Sequence, residues 1–304
     1  MTTIKIGERL VGDGNPCFVI AELGINHNGS MKTASALIDA AKDAGVDAVK
    51  FQKRTVDLCY TQAELDKPRE SPWGNTTRQQ KLGLEFSRSE YETIDAYCRK
   101  VGMPWFASCW DIPSVDFIES FDPPCHKIAS ASLTDKALLE RVAATGKPIL
   151  LSTGMSTDEE IDAAFRCLFR AWNPGDFDGE ANMPLILMHC TSTYPSTPDE
   201  LNLECIRTMQ REYPCLVGYS GHEVGLQTTV AAAVLGACVV ERHLTLSREM
   251  YGSDQASSVE PHGFAKLVRD IRACEAARGD GVKRVYETEL PIKAKLRKVE
   301  TLNG

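Results

Sequence analysis

The 304-residue sequence lacks the features that mark membrane, secreted and nucleic-acid-binding proteins. Its longest apolar stretch, TTVAAAVLGACVV, is too short to span a membrane and contains polar residues. Met1 leads into the charged segment TTIKIGERL, without the apolar segment of a secretory signal. The formal net charge of −8 argues against a nucleic-acid partner, although it permits a small basic pocket. We therefore expect a soluble, cytoplasmic protein that binds neither membrane nor nucleic acid.

Two groups of motifs are also missing. The eleven cysteines form no C-x-x-C pair, so the sequence supports neither a disulfide framework nor a zinc ribbon. Reduced thiols in the core are the expected state. The sequence also contains no G-x-G-x-x-G fingerprint and no G-K-[ST] phosphate loop, which argues against a doubly wound nucleotide-binding sheet.

Short apolar runs that read as strands alternate with longer segments of helical periodicity. The strand candidates are CFVIAE, DAVKFQ, MPWFAS, CHKIAS, KPILLST, PLILMHC, CLVGYS and CVVERH. Glycines at 45, 102, 146 and 236 suit the left-handed position after a helix. Eight such pairs predict an α/β fold of the (β/α)8 TIM-barrel type over residues 1–280. Residues 53–80 are predicted to form a long loop, and residues 281–304 a charged tail or linker.

Polar residues gather at the carboxyl ends of the predicted strands. In a barrel these ends lie on one rim, which is where active sites are found. One polar strand end alone means little, because charged groups generally prefer the surface. The set is Glu22, Lys50, Gln52, Ser108, Lys127, Ser130, Ser152, Thr153, His189, Ser220, His222, Glu241 and His243.

The rim residues predict two kinds of chemistry. Side chains alternate along a strand, so His222 and His243 on neighbouring strands can reach one divalent ion in an open site. A single histidine at a strand end is more often structural, and only the pair favours a metal. Lys50 and Lys127, with nearby hydroxyl groups, could surround a phosphate or carboxylate, although solvated lysines and helix caps are the ordinary alternative.

The sequence resembles the sialic acid synthase family, the phosphoenolpyruvate-dependent enzymes that make nonulosonic acids. The matching segments lie in order between about residues 16 and 262. They are AELGINHNG, AVKFQ, KIAS, GKPILLSTGM, HCTSTYP, GYSGHE, ERHLT and GSDQASS.

The resemblance implies a TIM-barrel transferase that joins phosphoenolpyruvate to the aldehyde of an open-chain N-acylated hexosamine. It implies phosphoenolpyruvate contacts at Lys50, Lys127, Ser130, Ser152 and Ser220, and a site for Mn2+ or Mg2+ at His222 and His243. Glu22, Tyr194 and Asp254 resemble residues that face the sugar, with Gln52 beside them. Ser192 stands where some members have asparagine, and Ser108 is a further candidate contact. A homodimer is the family expectation.

The sequence departs from the family pattern at several positions. Ala131 and Ser132 follow KIAS, where an acidic residue thought to assist the water step is usual. Cys109 replaces a threonine that contacts phosphate. Members usually continue past a segment like ELPIKAKLRK into an antifreeze-like domain that reaches the partner's sugar site. The sequence stops at Gly304, so we expect this chain to lack that domain and its sugar selectivity to differ.

Two alternatives remain open. A related barrel synthase would act on a phosphorylated sugar and would need extra basic residues, for which Arg69 and Arg78 are candidates. A non-catalytic barrel that binds sugar or acts as a scaffold is favoured by the lost acidic residue and by the expected lack of the C-terminal domain. The retained Glu22, lysines and histidines argue against it.

Overall fold

The computed structural model describes residues 3–172 and 183–298, in which strands and helices alternate. The strands are β1 (Thr3–Ile6), β2 (Arg9–Gly12), β3 (Phe18–Gly24), β4 (Ala48–Lys53), β5 (Pro68–Ser71), β6 (Gly74–Thr76), β7 (Trp105–Cys109), β8 (His126–Ile128), β9 (Ile149–Ser152), β10 (Leu185–Cys190), β11 (Leu216–Gly221) and β12 (Val239–His243).

The described residues also form α-helices. They are α1 (Met31–Ala44), α2 (Val56–Cys59), α3 (Gln62–Leu65), α4 (Thr77–Leu84), α5 (Arg88–Val101), α6 (Ile112–Glu119), α7 (Lys136–Ala143), α8 (Asp158–Trp172), α9 (Cys205–Glu212), α10 (Gln227–Val234), α11 (Pro261–Arg278) and α12 (Leu290–Leu296). Gly45 and Gly102 follow α1 and α5 with left-handed backbone angles, φ +78° and +71°, as their positions in the sequence predict.

Eight strands close into a parallel barrel in the order β3-β4-β7-β8-β9-β10-β11-β12, with β12 pairing back to β3. The predicted (β/α)8 TIM barrel is confirmed. Its strands are buried, apart from the half-buried Gln52 and Lys53 at the end of β4, because helices cover their outer faces and side chains fill the interior.

Alternation along the strands gives the barrel a dry lower half and a polar upper half. On β3, Phe18 and Ile20 belong to the interior cluster, whereas Val19 and Ala21 pack against the helices. Glu22 has the same parity as the interior residues and lies one step nearer the carboxyl end. The pattern recurs on the other strands, which end in polar side chains above an apolar floor, except that β10 ends in Cys190.

An amino-terminal hairpin, β1 paired antiparallel with β2, closes the floor of the barrel. Its side chains Ile4, Ile6 and Val11 are buried in the cluster that contains Phe18 and Ile186 from the barrel interior. The sequence analysis assigned no element to these residues.

The predicted long loop at residues 53–80 is partly wrong, because this region has regular structure. It contains α2, α3, the small hairpin β5–β6 and the start of α4. Gln80 Nε2 donates to the hydroxyl of Tyr251 over 3.2 Å, and Trp73 packs edge-on against the same tyrosine. These contacts join the segment to the loop after β12 and build one side of the barrel mouth.

The chain after α11 is fully exposed as far as it is described, from residue 279 to residue 298. The predicted division after residue 280 stays a prediction. All eleven cysteines lie in the described ranges and are free thiols, as predicted. Within those ranges no helix combines the length and apolar character needed to cross a bilayer.

Candidate active site

A cavity of about 170 Å³ opens at the carboxyl ends of the barrel strands. Of the residues that the resemblance placed at the site, all except Asp254 line it, namely Glu22, Lys50, Gln52, Ser108, Lys127, Ser130, Ser152, Ser192, Tyr194, Ser220, His222 and His243. Thr153 and His189, from the set of polar strand ends, do not line it. A larger groove of about 710 Å³ lies at the opposite end and contains none of them. Because barrel enzymes place their active sites at the carboxyl end, we assign the site to the smaller cavity.

Glu22 turns into the cavity at a bulge between β3 and β4, where the pairing shifts between Glu22 and Gly24. Gly24 has a φ of +49°, and a Cβ there would lie 2.9 Å from Glu22 Oε1. A larger residue would therefore displace the carboxylate. Gln52 Nε2 donates to Glu22 Oε1 over 2.9 Å, and Lys50 Nζ lies 3.2 Å from Oε2. Burial raises the pKa of Glu22 even though Lys50 opposes the shift, which suits a group that exchanges protons.

Glu241 is the acceptor that links the two lysines, a role that the sequence analysis missed. Its Oε1 accepts from Lys50 Nζ over 2.9 Å and from Ser220 Oγ over 3.1 Å, and Lys127 Nζ lies 3.7 Å away. Burial alone would raise the pKa of this carboxyl, but Lys127 and Lys50 outweigh burial and lower it. Glu241 is therefore an ionised structural acceptor.

The two lysines differ in how far their charge is compensated. The carboxylates of Glu22 and Glu241 overcome the effect of burial and raise the pKa of Lys50. For Lys127 burial prevails over the more distant Glu241 and lowers the pKa. Lys127 Nζ donates to Ser152 Oγ over 2.7 Å, a neutral partner. A substrate anion beside Lys127 would supply the missing negative charge.

Ser130 forms part of the same wall as Ser152. Its Oγ accepts from the backbone N–H of Gly154 over 3.0 Å. A Cβ on Gly154 would lie 2.2 Å from Ser192 Oγ and 2.9 Å from Ser130 Oγ, so only glycine leaves both hydroxyls in place. The wall thus offers hydroxyl groups beside a buried cation, an arrangement suited to phosphate or carboxylate.

His222 and His243 lie side by side, with ring centroids 5.6 Å apart. His222 Nδ1 lies 2.7 Å from the carbonyl oxygen of Thr191. A carbonyl only accepts, so Nδ1 bears the proton and Nε2 keeps its lone pair. Burial and the neighbouring His243 lower the pKa of His222 to about 4, which keeps the ring neutral at physiological pH. A neutral imidazole with a free ring nitrogen is what a metal ion requires.

Asp254 lies beside His243 and is not among the residues that line the cavity, and its predicted role toward the sugar stays a prediction. Its Oδ2 is 3.7 Å from His243 Nδ1, a buried nitrogen without a hydrogen-bond partner. Metal-bound histidines commonly direct their second nitrogen to a carboxylate, and this pair needs only a small shift to do so.

Tyr194 covers the two histidines from the solvent side. Its ring lies against His222, with centroids 3.9 Å apart and the ring planes tilted by 31°, and it meets His243 edge-on at 5.7 Å. The peptide bond to Pro195 is cis. Tyr194 is 47% exposed, so one face remains open to a ligand at the mouth.

The histidine pair fits a divalent ion only in an open site. Within residues 3–172 and 183–298 no group of three or more His, Cys, Asp or Glu side chains is arranged to hold a metal. Two imidazoles leave the other coordination positions to water or substrate, the condition for Lewis-acid chemistry.

A buried ion pair supports the two histidines from outside the barrel. Arg242, the residue before His243, donates to Glu223, the residue after His222, over 3.0 Å. Arg242 also donates to Thr229 Oγ1 and to the Gly225 carbonyl. The sequence analysis assigned no role to Arg242 or Glu223, which lie outside the set of polar strand ends.

The residues that depart from the family pattern lie at two places, at the end of β7 and after β8. Cys109 faces outward into the core between strand and helix, with Sγ 3.5 Å from the carbonyl of Ser114, so it makes no contact in the cavity. Its neighbour Ser108 lines the cavity and accepts from Lys50 Nζ over 3.0 Å. Ala131 lines the cavity without a polar group, whereas Ser132 is buried away from it.

Comparison with known proteins places these observations in one family. A sequence profile described as NeuB family matches residues 37–283. The chain is 36% identical to N-acetylneuraminate-9-phosphate synthase of Mus musculus over 293 residues, which cover 95% of this chain and 79% of the relative. It is 33% identical to N,N'-diacetyllegionaminic acid synthase of Legionella pneumophila over 295 residues, or 96% of this chain and 81% of the relative.

A solved structure supports the same family assignment. The crystal structure of N-acetylneuraminic acid (sialic acid) synthetase from Leptospira borgpetersenii in complex with citrate superposes with a TM-score of 0.82 at 28% identity. The superposition covers 98% of each chain.

Proposed function

This chain belongs to the NeuB family, and from that premise we propose that it is a nonulosonic acid synthase. It condenses phosphoenolpyruvate with the aldehyde of an open-chain N-acylated hexosamine to give a sialic-acid-type sugar and phosphate. The observation that supports this most directly is the cavity in which two lysines, two carboxylates and two histidines converge. The methylene carbon of phosphoenolpyruvate forms the new bond to the aldehyde carbon, water adds at carbon two, and phosphate leaves.

We assign phosphoenolpyruvate to the wall formed by Lys127, Ser152 and Ser130. This wall holds a buried cation whose charge is only partly compensated. Lys50 and Ser108 extend the polar surface across the cavity, and Ser220 fixes Glu241. Holding phosphate and carboxylate in one orientation lowers the barrier because two reactants are brought together before they react.

We assign Mn2+ or Mg2+ to His222 and His243. When bound, such an ion supplies Lewis-acid polarisation of the aldehyde oxygen. The neutral state of His222 and the hydrogen-bond-free Nδ1 of His243 next to Asp254 support this assignment. Arg242 and Glu223 hold the strand ends that present the two rings.

Proton exchange is assigned to Glu22. Of the two carboxyls that line the cavity, Glu22 has a raised pKa and Glu241 a lowered one. A carboxyl with a raised pKa binds a proton more readily than an ordinary carboxylate, whereas Glu241 stays ionised between the lysines. Gln52 holds the Glu22 carboxylate, and Tyr194 offers an aromatic face to the sugar.

The cysteines bear on the cellular compartment in which the protein works. Eleven free thiols fit a reducing compartment, so we propose a cytoplasmic enzyme. The homodimer expected from the family stays a prediction.

The function is tested by supplying phosphoenolpyruvate, N-acetylmannosamine and Mn2+ to the purified protein. We expect phosphate release that requires both substrates, together with a new ulosonic acid identified by mass. A protein that binds sugar without releasing phosphate, with Mn2+ or Mg2+ and across a panel of hexosamines and their phosphates, would instead be a non-catalytic barrel.

Replacement of either cavity lysine should weaken phosphoenolpyruvate binding. Lys127→Met keeps the side-chain volume and removes the charge, and we expect the KM for phosphoenolpyruvate to rise about 10- to 100-fold, since a hydrogen bond to a charged group is worth about 1.5–3 kcal/mol. Lys50→Met should act in the same direction. Lys32→Met, at an exposed position on α1, is the matched control. Unchanged KM values in both cavity variants would refute the assignment.

A further inference from the structure

One buried cation, Arg54, contacts two residues of the cavity wall from behind. It comes two residues after Gln52, so alternation along the chain places both side chains on one side of β4. The side chain of Arg54 is 5% exposed, and arginine is rarely buried to this extent unless it is paired. The reaction steps above do not use Arg54, so its burial requires its own explanation.

Charge compensation does not explain why Arg54 is buried. Its carboxylate partner among the described residues is Glu85, whose Oε1 lies 3.8 Å from Nε, and that Nε has no hydrogen-bond partner there. Glu85 is also shared, since its Oε2 lies 3.1 Å from Lys53 Nζ. A buried charge with so distant a partner costs free energy, so stability alone does not account for the residue.

Arg54 determines which way the amide of Gln52 points. Its Nη2 donates to Gln52 Oε1, and a guanidinium can only donate. The amide nitrogen therefore faces the other way and donates to Glu22 Oε1 over 2.9 Å. The opposite orientation would set the amide oxygen against the carboxylate and the amide N–H groups against the guanidinium. The charge of Arg54 also polarises the amide, which strengthens the hydrogen bond that Gln52 donates.

The packing around these hydrogen bonds leaves little room for another arrangement. A Cβ on Gly24 would lie 2.9 Å from Glu22 Oε1 and 3.1 Å from Gln52 Nε2. The hydroxyl of Tyr91 donates to the backbone carbonyl of Gln52 over 3.0 Å, which fixes the main chain of the same residue. Glu22 is thus held through Oε1, and its Oε2 is oriented toward Lys50 Nζ, 3.2 Å away.

Arg54 holds a second wall residue, Trp110, by a different contact. Its guanidinium carbon lies 4.5 Å from the ring centroid of Trp110, a distance at which a cation is attracted to the ring face. Trp110 follows β7, the strand that pairs with β4, and both Trp110 and Gln52 line the cavity. One side chain therefore sets the position of an amide and of an aromatic ring at the ends of two neighbouring strands.

We propose that Arg54 is a positioning residue for the condensation, acting through the Gln52 amide on the carboxyl group of Glu22. This inference rests on the proposed function, in which Glu22 exchanges the proton. Arg54 itself touches neither substrate in this assignment. By fixing the amide it holds Glu22 in one orientation, and a displacement of about 1 Å in a catalytic group is enough to cost on the order of 100-fold in rate.

The test measures kcat in single and double variants, with phosphoenolpyruvate, Mn2+ and the N-acylated hexosamine that the parent converts fastest. Arg54→Met and Gln52→Leu should each lower kcat about 10- to 100-fold, while the KM for phosphoenolpyruvate stays close to that of the parent. The double variant should be no slower than the slower single variant, because both changes break the same chain of contacts. Lys53→Met removes the other cation beside Glu85 and should leave kcat unchanged.

Nuclear magnetic resonance gives a readout that does not depend on turnover. The side-chain amide signals of Gln52 in isotope-labelled protein are identified by their absence in Gln52→Leu. We expect these signals to move in Arg54→Met, since the amide loses its fixed orientation and its polarising neighbour, and to stay in place in Lys53→Met. If Arg54→Met does not fold, Arg54→Lys keeps a cation beside Glu85. Its ammonium lacks the fork that spans Gln52 and Glu85, so the signals should move in that variant too.

Each outcome supports or overturns the positioning role. A loss of kcat in Arg54→Met that Gln52→Leu does not deepen, together with shifted Gln52 signals, supports it. Losses that add in the double variant, or Gln52 signals that stay in place without the arginine, overturn it. An equal loss of kcat in Lys53→Met assigns the effect to Glu85 and overturns it as well. If the parent converts no N-acylated hexosamine, the proposed function and this role in it both fail, whereas an unchanged kcat in Arg54→Met overturns the positioning role alone.

Discussion

Glu241→Gln should lower the free energy of unfolding by about 3–5 kcal/mol, the usual cost of removing one partner from a buried ion pair. The Nζ atoms of Lys50 and Lys127 lie 2.9 and 3.7 Å from Glu241 Oε1. A neutral amide at this position cannot compensate their charges. Turnover should be lost as well, because the two lysines no longer hold their positions. Urea unfolding and product formation on the same sample measure the two effects.

Glu22→Gln is the matched control for that result. Burial opposes the charge of Glu22, and Lys50 retains Glu241 when Glu22 is changed. We expect its unfolding free energy to stay close to that of the parent while turnover falls sharply. If Glu22→Gln is as unstable as Glu241→Gln but converts substrate at the parental rate while folded, Glu22 belongs to the scaffold.

The pH dependence of stability separates the two carboxyls further. The folded-state pKa of Glu241 is lowered, so its contribution to stability is present above the unfolded carboxyl pKa of about 4.3 and is lost as pH falls toward the folded value. Glu241→Gln should remove that part of the acid-induced loss. Stability curves of parent and variant that remain parallel below pH 4.3 would contradict the lowered pKa.

Removal of divalent metal should abolish turnover, and Mn2+ or Mg2+ should restore it. Lewis-acid stabilisation is worth several kcal/mol, so the loss should exceed about 100-fold. The test is activity after exhaustive chelation, followed by titration with each ion. Full turnover in metal-free protein would rule out the role assigned to the histidines.

Direct metal binding gives a second readout that does not depend on activity. His222→Ala and His243→Ala should each weaken Mn2+ binding measured by electron paramagnetic resonance. His262→Ala, an exposed histidine on α11, should not. Equal Mn2+ affinity in all three variants would place the ion elsewhere.

The sequence predicted the barrel and most of its cavity because both depend on strand periodicity. A strand that alternates strictly fixes which residues share a face, so Lys50 and Gln52, or Ser220 and His222, were placed together correctly. The same alternation explains the orientation of Cys109. It follows Ser108 by one residue, so its side chain points away from the cavity and into the core between strands and helices.

The remaining features depend on contacts between distant segments, which no local pattern encodes. Glu241 was visible as a strand-end residue, but its two lysine partners come from strands nearly 200 and more than 100 residues away in sequence. Asp254 was predicted to face the sugar, and its proximity to His243 could not be read from the sequence. The short elements at residues 53–80 have too few turns to show a period, and contacts such as Trp73 with Tyr251 define them.

The amino-terminal hairpin has a consequence for the order of events in catalysis. Because β1 and β2 close the barrel floor with Ile4, Ile6 and Val11, the reactants share one entrance. The substrate that binds deepest must then enter first. The product that it leaves in the cavity can depart only after the outer ligand has left. We assigned phosphoenolpyruvate to the wall of Lys127, Ser152 and Ser130, and the sugar to the side of the cavity near Tyr194 at the mouth. We therefore expect ordered kinetics in which phosphoenolpyruvate binds before the sugar.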